Sequence, residues 1–83
     1  LTSKIKIYPN PTDGNFTITF SQQLLDQGSN VKIVDALGRS LLTFDIKSVE
    51  EDLTVNIPGL ESGMFFVIVS GENIKVIKKL IKL

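Results

Sequence analysis

The chain of 83 residues contains no histidine and no cysteine, and these two absences remove most of the chemistry that a small protein can carry. Histidine is the usual general base at neutral pH, so a serine-type hydrolytic triad is excluded. Zinc sites rely largely on histidine and cysteine, and disulfides require cysteine, so packing and backbone pairing must stabilise the fold. We therefore expect no enzyme activity, no metal and no cofactor.

A net charge of one sign and long apolar runs are also missing. Nine basic and nine acidic residues sum to zero, which argues against a dedicated nucleic-acid-binding protein. No stretch approaches the roughly 18 consecutive apolar residues of a membrane helix, and the first residues lack the apolar run of a secretory signal. The length allows one domain with one core. We expect a single domain, residues 1–83, excised from a longer parent chain on which any export signal lies upstream, with residues 1–3 as a linker remnant.

The dominant pattern along the chain is alternation of apolar and polar residues, which is typical of strands with one buried face. Turn residues rich in proline, glycine, asparagine and aspartate separate the alternating segments. The segments contain Ile5 and Ile7; Phe16, Ile18 and Phe20; Val31 and Ile33; Leu42, Phe44 and Ile46; Leu53, Val55 and Ile57; Met64 to Val69; and Ile74 to Leu83. About seven short strands of this kind predict an all-β fold, an immunoglobulin-like antiparallel β-sandwich.

Three segments need separate interpretation. Ser21 to Asn30 has no period, so we interpret it as a loop with at most a short irregular turn. Asp35 to Gly38 suits a type I turn followed by a bulge, which predicts a hairpin. Val76 to Leu83 has apolar residues at helical spacing, but β-branched residues favour a strand, and a bulge near Ile77 would reconcile the two periods.

The remaining candidates for chemistry have structural explanations. Glu50, Glu51 and Asp52 are consecutive, so their carboxylates alternate sides on an extended chain and form a solvated acidic turn. Asp13 and Gly14 fit a tight turn better than a calcium loop, because further carboxylates at alternate positions are absent. No glycine-rich phosphate loop is present in the sequence.

Two segments each allow a structural and a functional interpretation. The Tyr8-Pro9-Asn10-Pro11 turn is stiff, so it either launches the second strand rigidly or presents a fixed feature to a partner. Four of the nine basic residues are crowded at the end of the chain: Lys75, Lys78, Lys79 and Lys82. These lysines either protect an edge strand from unwanted pairing or dock on an acidic surface.

The run from Met64 to Val69 is apolar on both faces of a strand, although a two-layer sandwich needs only one apolar face. Phe65, Val67 and Val69 point to one face, and Met64, Phe66 and Ile68 to the other. The second face is either covered by a loop such as Ser21 to Asn30 or left exposed as a binding surface. We predict that Met64, Phe66 and Ile68 form a partner patch.

Four segments together resemble the type A C-terminal sorting domain of the type IX (Por) secretion system of Bacteroidota. They read KIYPNPTDG at 6–14, DALGR at 35–39, LESGMF at 60–65 and IKVIKKLIKL at 74–83. The matching positions are Tyr8, Pro9, Asn10, Pro11 and Gly14; Asp35, Gly38 and Arg39; Leu60, Gly63 and Phe65; and Lys75, Lys78, Lys79 and Lys82. Members of the family place tyrosine where this chain has Phe65, which keeps the ring and loses the hydroxyl.

The resemblance implies a non-catalytic secretion signal that directs an upstream cargo domain through the type IX outer-membrane translocon. It also implies removal by a sortase-like protease, with passage through the periplasm and surface attachment or release outside the cell. Nucleic acid is not an expected partner, and no transmembrane segment is expected. The alternative is a β-sandwich spacer or ligand-binding accessory module of a cell-surface protein.

Overall fold

The computed structural model describes residues 5–48 and 52–83, and the strands within them form two antiparallel sheets. The three-stranded sheet, in the order β1-β2-β5, consists of β1 (Ile5–Tyr8), β2 (Asn15–Phe20) and β5 (Asp52–Asn56). The four-stranded sheet, in the order β4-β3-β6-β7, consists of β3 (Gly28–Asp35), β4 (Ser40–Asp45), β6 (Gly63–Gly71) and β7 (Lys75–Lys82). Seven strands in two packed sheets confirm the all-β, immunoglobulin-like antiparallel sandwich.

The core lies between the two sheets and is filled by the inward-facing residues of the alternating strands. Phe16 and Ile18 of β2 are buried, as are Phe65, Val67 and Val69 of β6. The other buried apolar residues of this core are Ile5, Leu24, Val31, Ile33, Ile46, Val55 and Leu80. The period of two in the sequence therefore identifies the core face of most strands correctly.

The hairpin predicted at Asp35 to Gly38 is present and joins β3 to β4. The amide of Gly38 donates to the carbonyl of Asp35 at 2.9 Å, and the amide of Asp35 donates to the carbonyl of Arg39 at 3.0 Å. Gly38 has φ of 86°, a conformation that residues with a Cβ rarely adopt. The β3–β4 register shifts between Ile33 and Val34, so the predicted irregularity lies within the strand pair.

The interpretation of Ser21 to Asn30 as a loop is wrong, because a short helix, α1 (Gln22–Gln27), lies within it and Gly28 already begins β3. The hydroxyl of Ser21 caps this helix by accepting a hydrogen bond from the amide of Leu24 at 3.3 Å. Leu24 is fully buried in the core. The helix thus closes one side of the core as the chain crosses from one sheet to the other.

The last segment is a strand, as predicted, but the bulge near Ile77 is not present. The β6–β7 register runs without a shift from Gly63 opposite Lys82 to Ser70 opposite Lys75. Helical spacing misleads here because Ile77 lies on the outer face of the sheet, where it is 54% exposed.

Smaller differences from the predictions concern the ends of strands. Ile46 is buried in a short 3₁₀ helix, Ile46–Ser48, that follows β4, and Ile57 lies just beyond the end of β5. The proposed linker remnant, residues 1–3, and Glu50 and Glu51 of the acidic turn lie outside the described residues.

Candidate functional site at one end of the sandwich

The four motif segments meet at one end of the sandwich, which we call the motif end. Asp35 is the register partner of Phe65, and Phe65 is the register partner of Leu80. On the far side of Leu80, the side chain of Asn10 bonds to the backbone of the residues that flank it. One residue from each motif therefore lies in a row across β3, β6, β7 and the proline turn. The order is Asp35, Phe65, Leu80 and Asn10.

Asn10 attaches the proline turn to the outer edge of β7. Its side-chain nitrogen, Nδ2, donates to the carbonyl of Lys79 at 2.9 Å, and its Oδ1 accepts from the amide of Ile81 at 3.0 Å. Its neighbours in the turn are prolines, which have no backbone N–H to offer an edge strand. The carboxamide supplies the donor and acceptor that the backbone of this turn lacks. The two X–Pro peptide bonds of the turn are cis.

Thr12 continues the same edge pairing with its backbone. Its amide donates to the carbonyl of Ile81 at 2.8 Å, and its carbonyl accepts from the amide of Leu83 at 3.0 Å. This is a parallel bridge opposite Lys82. In a parallel pair, a residue bonds to the two neighbours of its opposite residue, and the Asn10 side chain bonds around Leu80 in this same way. Asn10 and Thr12 therefore act as a short parallel strand on β7.

The hydroxyl of Thr12 fixes the turn that leads into β2. It donates to the carbonyl of Asn15 at 2.8 Å and accepts from the amide of Gly14 at 3.1 Å, and the Thr12 side chain is fully buried. Gly14 has φ of 118°, and its carbonyl accepts from the amide of Ile57 at 3.1 Å. A Cβ at Gly14 would lie 3.4 Å from the carbonyl oxygen of Ile57. The positive φ therefore favours glycine here, whereas a contact at 3.4 Å is an ordinary van der Waals distance.

Thr12 is a site residue that the sequence analysis missed. Its position two residues before Gly14 is the one local signal, because a threonine hydroxyl often bonds to a nearby backbone group in a turn.

The DALGR segment is organised by the carboxylate of Asp35. Its Oδ1 accepts from the amides of Leu37 and Arg39, both at 2.9 Å, and its Oδ2 accepts from Arg39 Nε at 2.7 Å. These bonds, led by the one from the Arg39 amide, hold the pKa of Asp35 below its ordinary value. The Asp35 side chain is 14% exposed, whereas that of Arg39 is 75% exposed. Asp35 therefore shapes the turn, and Arg39 faces solvent.

The second and third motifs enclose a common groove at the motif end. The groove has a volume of about 640 Å³, and its lining includes Leu37, Arg39, Leu60 and Gly63. Leu37 is 80% exposed, so this apolar side chain lines the groove and makes few contacts with the rest of the protein. Phe65 also lines the groove but is buried, so its ring serves the core as well.

The four terminal lysines are spread along β7. Lys82 lies at the motif end, with its Nζ donating to the carbonyl of Leu83, and Lys79 flanks the bonds made by Asn10. Lys78 lines a second groove of about 380 Å³ between β1 and β7, together with Tyr8, and Lys75 pairs with Ser70 away from the motif end. Within residues 5–48 and 52–83, the ion pair that forms is Arg39 with Asp35, so these lysines have no acidic partner there.

The predicted patch lies on the outer face of the four-stranded sheet and extends onto β7. Met64 is opposite Ile81, and Ile68 is opposite Ile77, so both strands contribute apolar residues to this face, with Lys79 between them opposite Phe66. We call this surface the outer patch, and it consists of Met64, Phe66, Ile68, Ile77 and Ile81. Met64 is 41% exposed, and Phe66 and Ile68 are partly buried. The sequence analysis missed Ile77 and Ile81 because it considered only the run from Met64 to Val69 when it predicted the patch.

In the part of the chain that the structure describes, no group of acidic side chains is arranged to hold a metal ion. The described residues also contain no helix with the length and apolar character needed to cross a membrane.

Comparison with known families gives one match over nearly the whole chain. The family described as secretion system C-terminal sorting domain matches residues 6–83. The match spans all four motif segments. A comparison with curated proteins gives no significant match.

Proposed function

Because the chain belongs to the family of secretion system C-terminal sorting domains, we propose that its four motifs act as a single address at the motif end. The family is a C-terminal sorting signal for type IX secretion, and its cargo is exported to the cell surface or beyond. The family match does not favour the alternative of a spacer or accessory ligand-binding module. Family members act as signals, and we assign no catalytic step to this chain.

The partner in this proposal is the type IX outer-membrane translocon, which meets the domain in the periplasm. The cargo lies upstream in a larger secreted protein, of which residues 1–83 form the single sorting domain. A sortase-like protease removes the domain after export, and the cargo is attached to the surface or released. The domain needs no cofactor and no nucleic acid for this role.

The observation that carries the proposal is the convergence of the motifs. Segments separated by up to 71 positions in sequence are joined by direct hydrogen bonds at one end of the fold. A stable sandwich does not require its exposed residues to cluster, whereas a surface that is read by one partner does. The convergence therefore supports recognition of a folded surface.

Within this address the residues fall into two groups. Tyr8, which is 50% exposed, together with Leu37 and Arg39, offers side chains to a partner. Other motif residues set the shape of the surface: Pro9, Asn10, Pro11, Gly14, Asp35, Gly38, Leu60, Gly63 and Phe65. Lys75, Lys78, Lys79 and Lys82 add positive charge along β7. We include Met64, Phe66 and Ile68 as a second contact surface.

The proposal is tested by fusing residues 1–83 to the C-terminus of a periplasm-targeted fluorescent reporter in a Bacteroidota host. Reporter is measured in the medium, on the cell surface and in the periplasm, with and without a working type IX translocon. We expect export that depends on the translocon. An intact, folded fusion that stays in the periplasm of cells with a working translocon contradicts the proposal.

Substitutions then test whether the motif end is the part that is read. Tyr8→Ser and Leu37→Ser each remove an exposed side chain at the motif end, and we expect each to reduce export at equal folded amount. Glu72→Ser is the matched control, because Glu72 is exposed in the turn at the opposite end of the sandwich. If Tyr8→Ser and Leu37→Ser are exported as well as the control Glu72→Ser, the motif end is not the recognised surface.

A further inference from the structure

The outer edge of β7 is only partly covered. Ile81 directs both its amide and its carbonyl outward, to Asn10 and Thr12. Backbone groups along a strand alternate between its two sides, so Ile77 and Lys75 also direct their amides and carbonyls outward. The hydrogen bond from the Gly71 amide to the Ile74 carbonyl, at 2.8 Å, agrees with this assignment, since Ile74 then faces β6.

This leaves an uncovered stretch that we call the open edge, Lys75 to Lys79. The carbonyl of Lys79 accepts a hydrogen bond from the side chain of Asn10. The outward-facing backbone groups that precede it have no hydrogen-bond partner in residues 5–48 or 52–83. These groups are the amides of Lys75, Ile77 and Lys79 and the carbonyls of Lys75 and Ile77. Unpaired outward groups of an edge strand are a template for an added strand. The Asn10 contact stops any such pairing at Lys79.

Space and charge beside the open edge specify the occupant. The groove of about 380 Å³ between β1 and β7 is lined by Lys6, Ile7, Lys78 and Lys79. Its lining contains three lysines and no acidic residue, and these lysines have no salt bridge within the described residues. A second copy of β7 would bring lysines against lysines, which is unfavourable, whereas a strand carrying carboxylates would be complementary.

We propose that the open edge receives an extended, acidic segment of a partner protein as an added β-strand. The backbone of this segment pairs with Lys75 and Ile77, and its carboxylates lie against the lysines of β7 and Lys6. Main-chain bonds supply affinity, and the charges supply selectivity and exclude self-pairing. The proposal rests on the sorting function, since the partner it describes belongs to the machinery that reads the address.

The first test is a titration of the 83-residue chain, followed by NMR, with two capped seven-residue peptides. One peptide alternates valine with glutamate, and the other has lysine in place of glutamate. We expect the glutamate peptide to shift the amide signals of Lys75, Ile77 and Lys79 and to slow exchange of the Ile77 amide by about tenfold or more. Equal effects of both peptides, or no effect at the open edge, overturn the proposal.

Two substitutions at one position separate strand addition from side-chain contact. Ile77→Pro removes the outward amide, and proline is tolerated where an edge amide faces solvent. Ile77→Ala removes the same side chain and keeps the amide. We expect Ile77→Ala to retain peptide binding and Ile77→Pro to lose it while both remain folded by NMR. Equal binding by the two folded variants overturns the proposal.

A charge reversal keeps the proposal falsifiable if Ile77→Pro does not fold. Lys75→Glu combined with Lys79→Glu should reverse the preference of the open edge between the two peptides, so that the lysine peptide binds and the glutamate peptide does not. An unchanged preference overturns the proposal. Sedimentation of the wild-type chain alone should show a monomer, and a dimer broken by Ile77→Pro would assign the edge to a second copy instead.

The export assay distinguishes failure of this proposal from failure of the sorting function. Greater export of the Ile77→Ala reporter than of the Ile77→Pro reporter supports strand addition, because both variants lack the side chain that belongs to the outer patch. Equal export of the two variants, with export of the wild type, leaves the sorting function intact and overturns strand addition. Retention of the wild-type reporter in the periplasm contradicts the sorting function. In that case the peptide titration alone tests whether the open edge binds an acidic strand.

Discussion

The side-chain oxygen of Asn10 accepts a hydrogen bond from the backbone amide of Ile81 at 3.0 Å, across 71 positions of sequence. The same side chain donates to the carbonyl of Lys79 at 2.9 Å. A residue of a paired strand offers one donor and one acceptor, so a side chain that replaces it must carry both groups and have the length that reaches β7. This contact joins the first and last motifs into one surface.

We predict that Asn10→Ala lowers the free energy of unfolding by about 1 to 2 kcal/mol, because two hydrogen bonds are lost at a partly solvated edge. Urea denaturation measures the change, and hydrogen exchange of the Ile81 amide should accelerate. Asn73→Ala is the control, since Asn73 lies exposed in the turn between β6 and β7. A loss for Asn10→Ala no larger than that of the control would contradict the role assigned to the carboxamide.

We predict that Thr12→Val destabilises the protein by about 1 to 3 kcal/mol although it keeps the shape of the side chain. The substitution leaves the amide of Gly14 and the carbonyl of Asn15 without the hydroxyl that they bond. Thr12→Ser keeps the hydroxyl and should recover most of the loss in a thermal or urea denaturation experiment. Equal destabilisation by both variants would assign the effect to packing of the methyl group.

We predict that Leu24→Ala destabilises the protein by about 2 to 5 kcal/mol, since it empties a fully buried position between the sheets. Leu37→Ala is the matched control: the same atoms are removed at a residue that is 80% exposed, and the change should stay within about 0.5 kcal/mol. Both are measured by urea denaturation. Similar values for the two variants would show that α1 does not contribute to the core.

Asp35 makes stability depend on pH in the acidic range. Its pKa is lower in the folded protein than in the unfolded chain, so its stabilising contribution is present at neutral pH. The contribution is lost as the pH falls below about 4 and through the lower folded pKa. We expect urea denaturation between pH 7 and pH 3 to show a smaller acid-dependent loss for Asp35→Asn than for wild type. Glu72→Gln, which changes net charge equally in an exposed turn, is the control for the change in charge.

We predict that combining Met64→Gln with Ile77→Gln reduces export while stability changes little. Both side chains are exposed, at 41% and 54%, so the core loses no contact. Thr54→Gln is a control on the exposed face of the three-stranded sheet. Export is compared by the reporter assay at equal folded amount, and undiminished export of the double variant would exclude the outer patch as a contact surface.

Local patterns in the sequence predict most of this fold. The alternation in β2 and β6 identifies Phe16, Ile18 and Val67 as core residues, because one side of each strand must be dry. It fails for α1, since six residues are too few for a helical period to appear and the cap at Ser21 also suits a loop.

The same patterns predict the motifs but not how they are joined. The bulge suggested near Ile77 is not present, because Ile77 is apolar but faces outward, and a pattern cannot tell an exposed apolar residue from a core residue. Thr12 and the carboxamide of Asn10 act on partners that are close in space and distant in sequence. No local period encodes such a contact.

The direction of β1 has a consequence for how the domain is presented. Ile5 pairs with Phe20 beside α1, and Tyr8 at the other end of the strand leads directly into the proline turn. A polypeptide entering through Ile5 therefore arrives at the pole opposite the motifs. A cargo domain attached there would lie at the end of the sandwich away from the motifs and would leave the motif end unobstructed, whatever the size of the cargo.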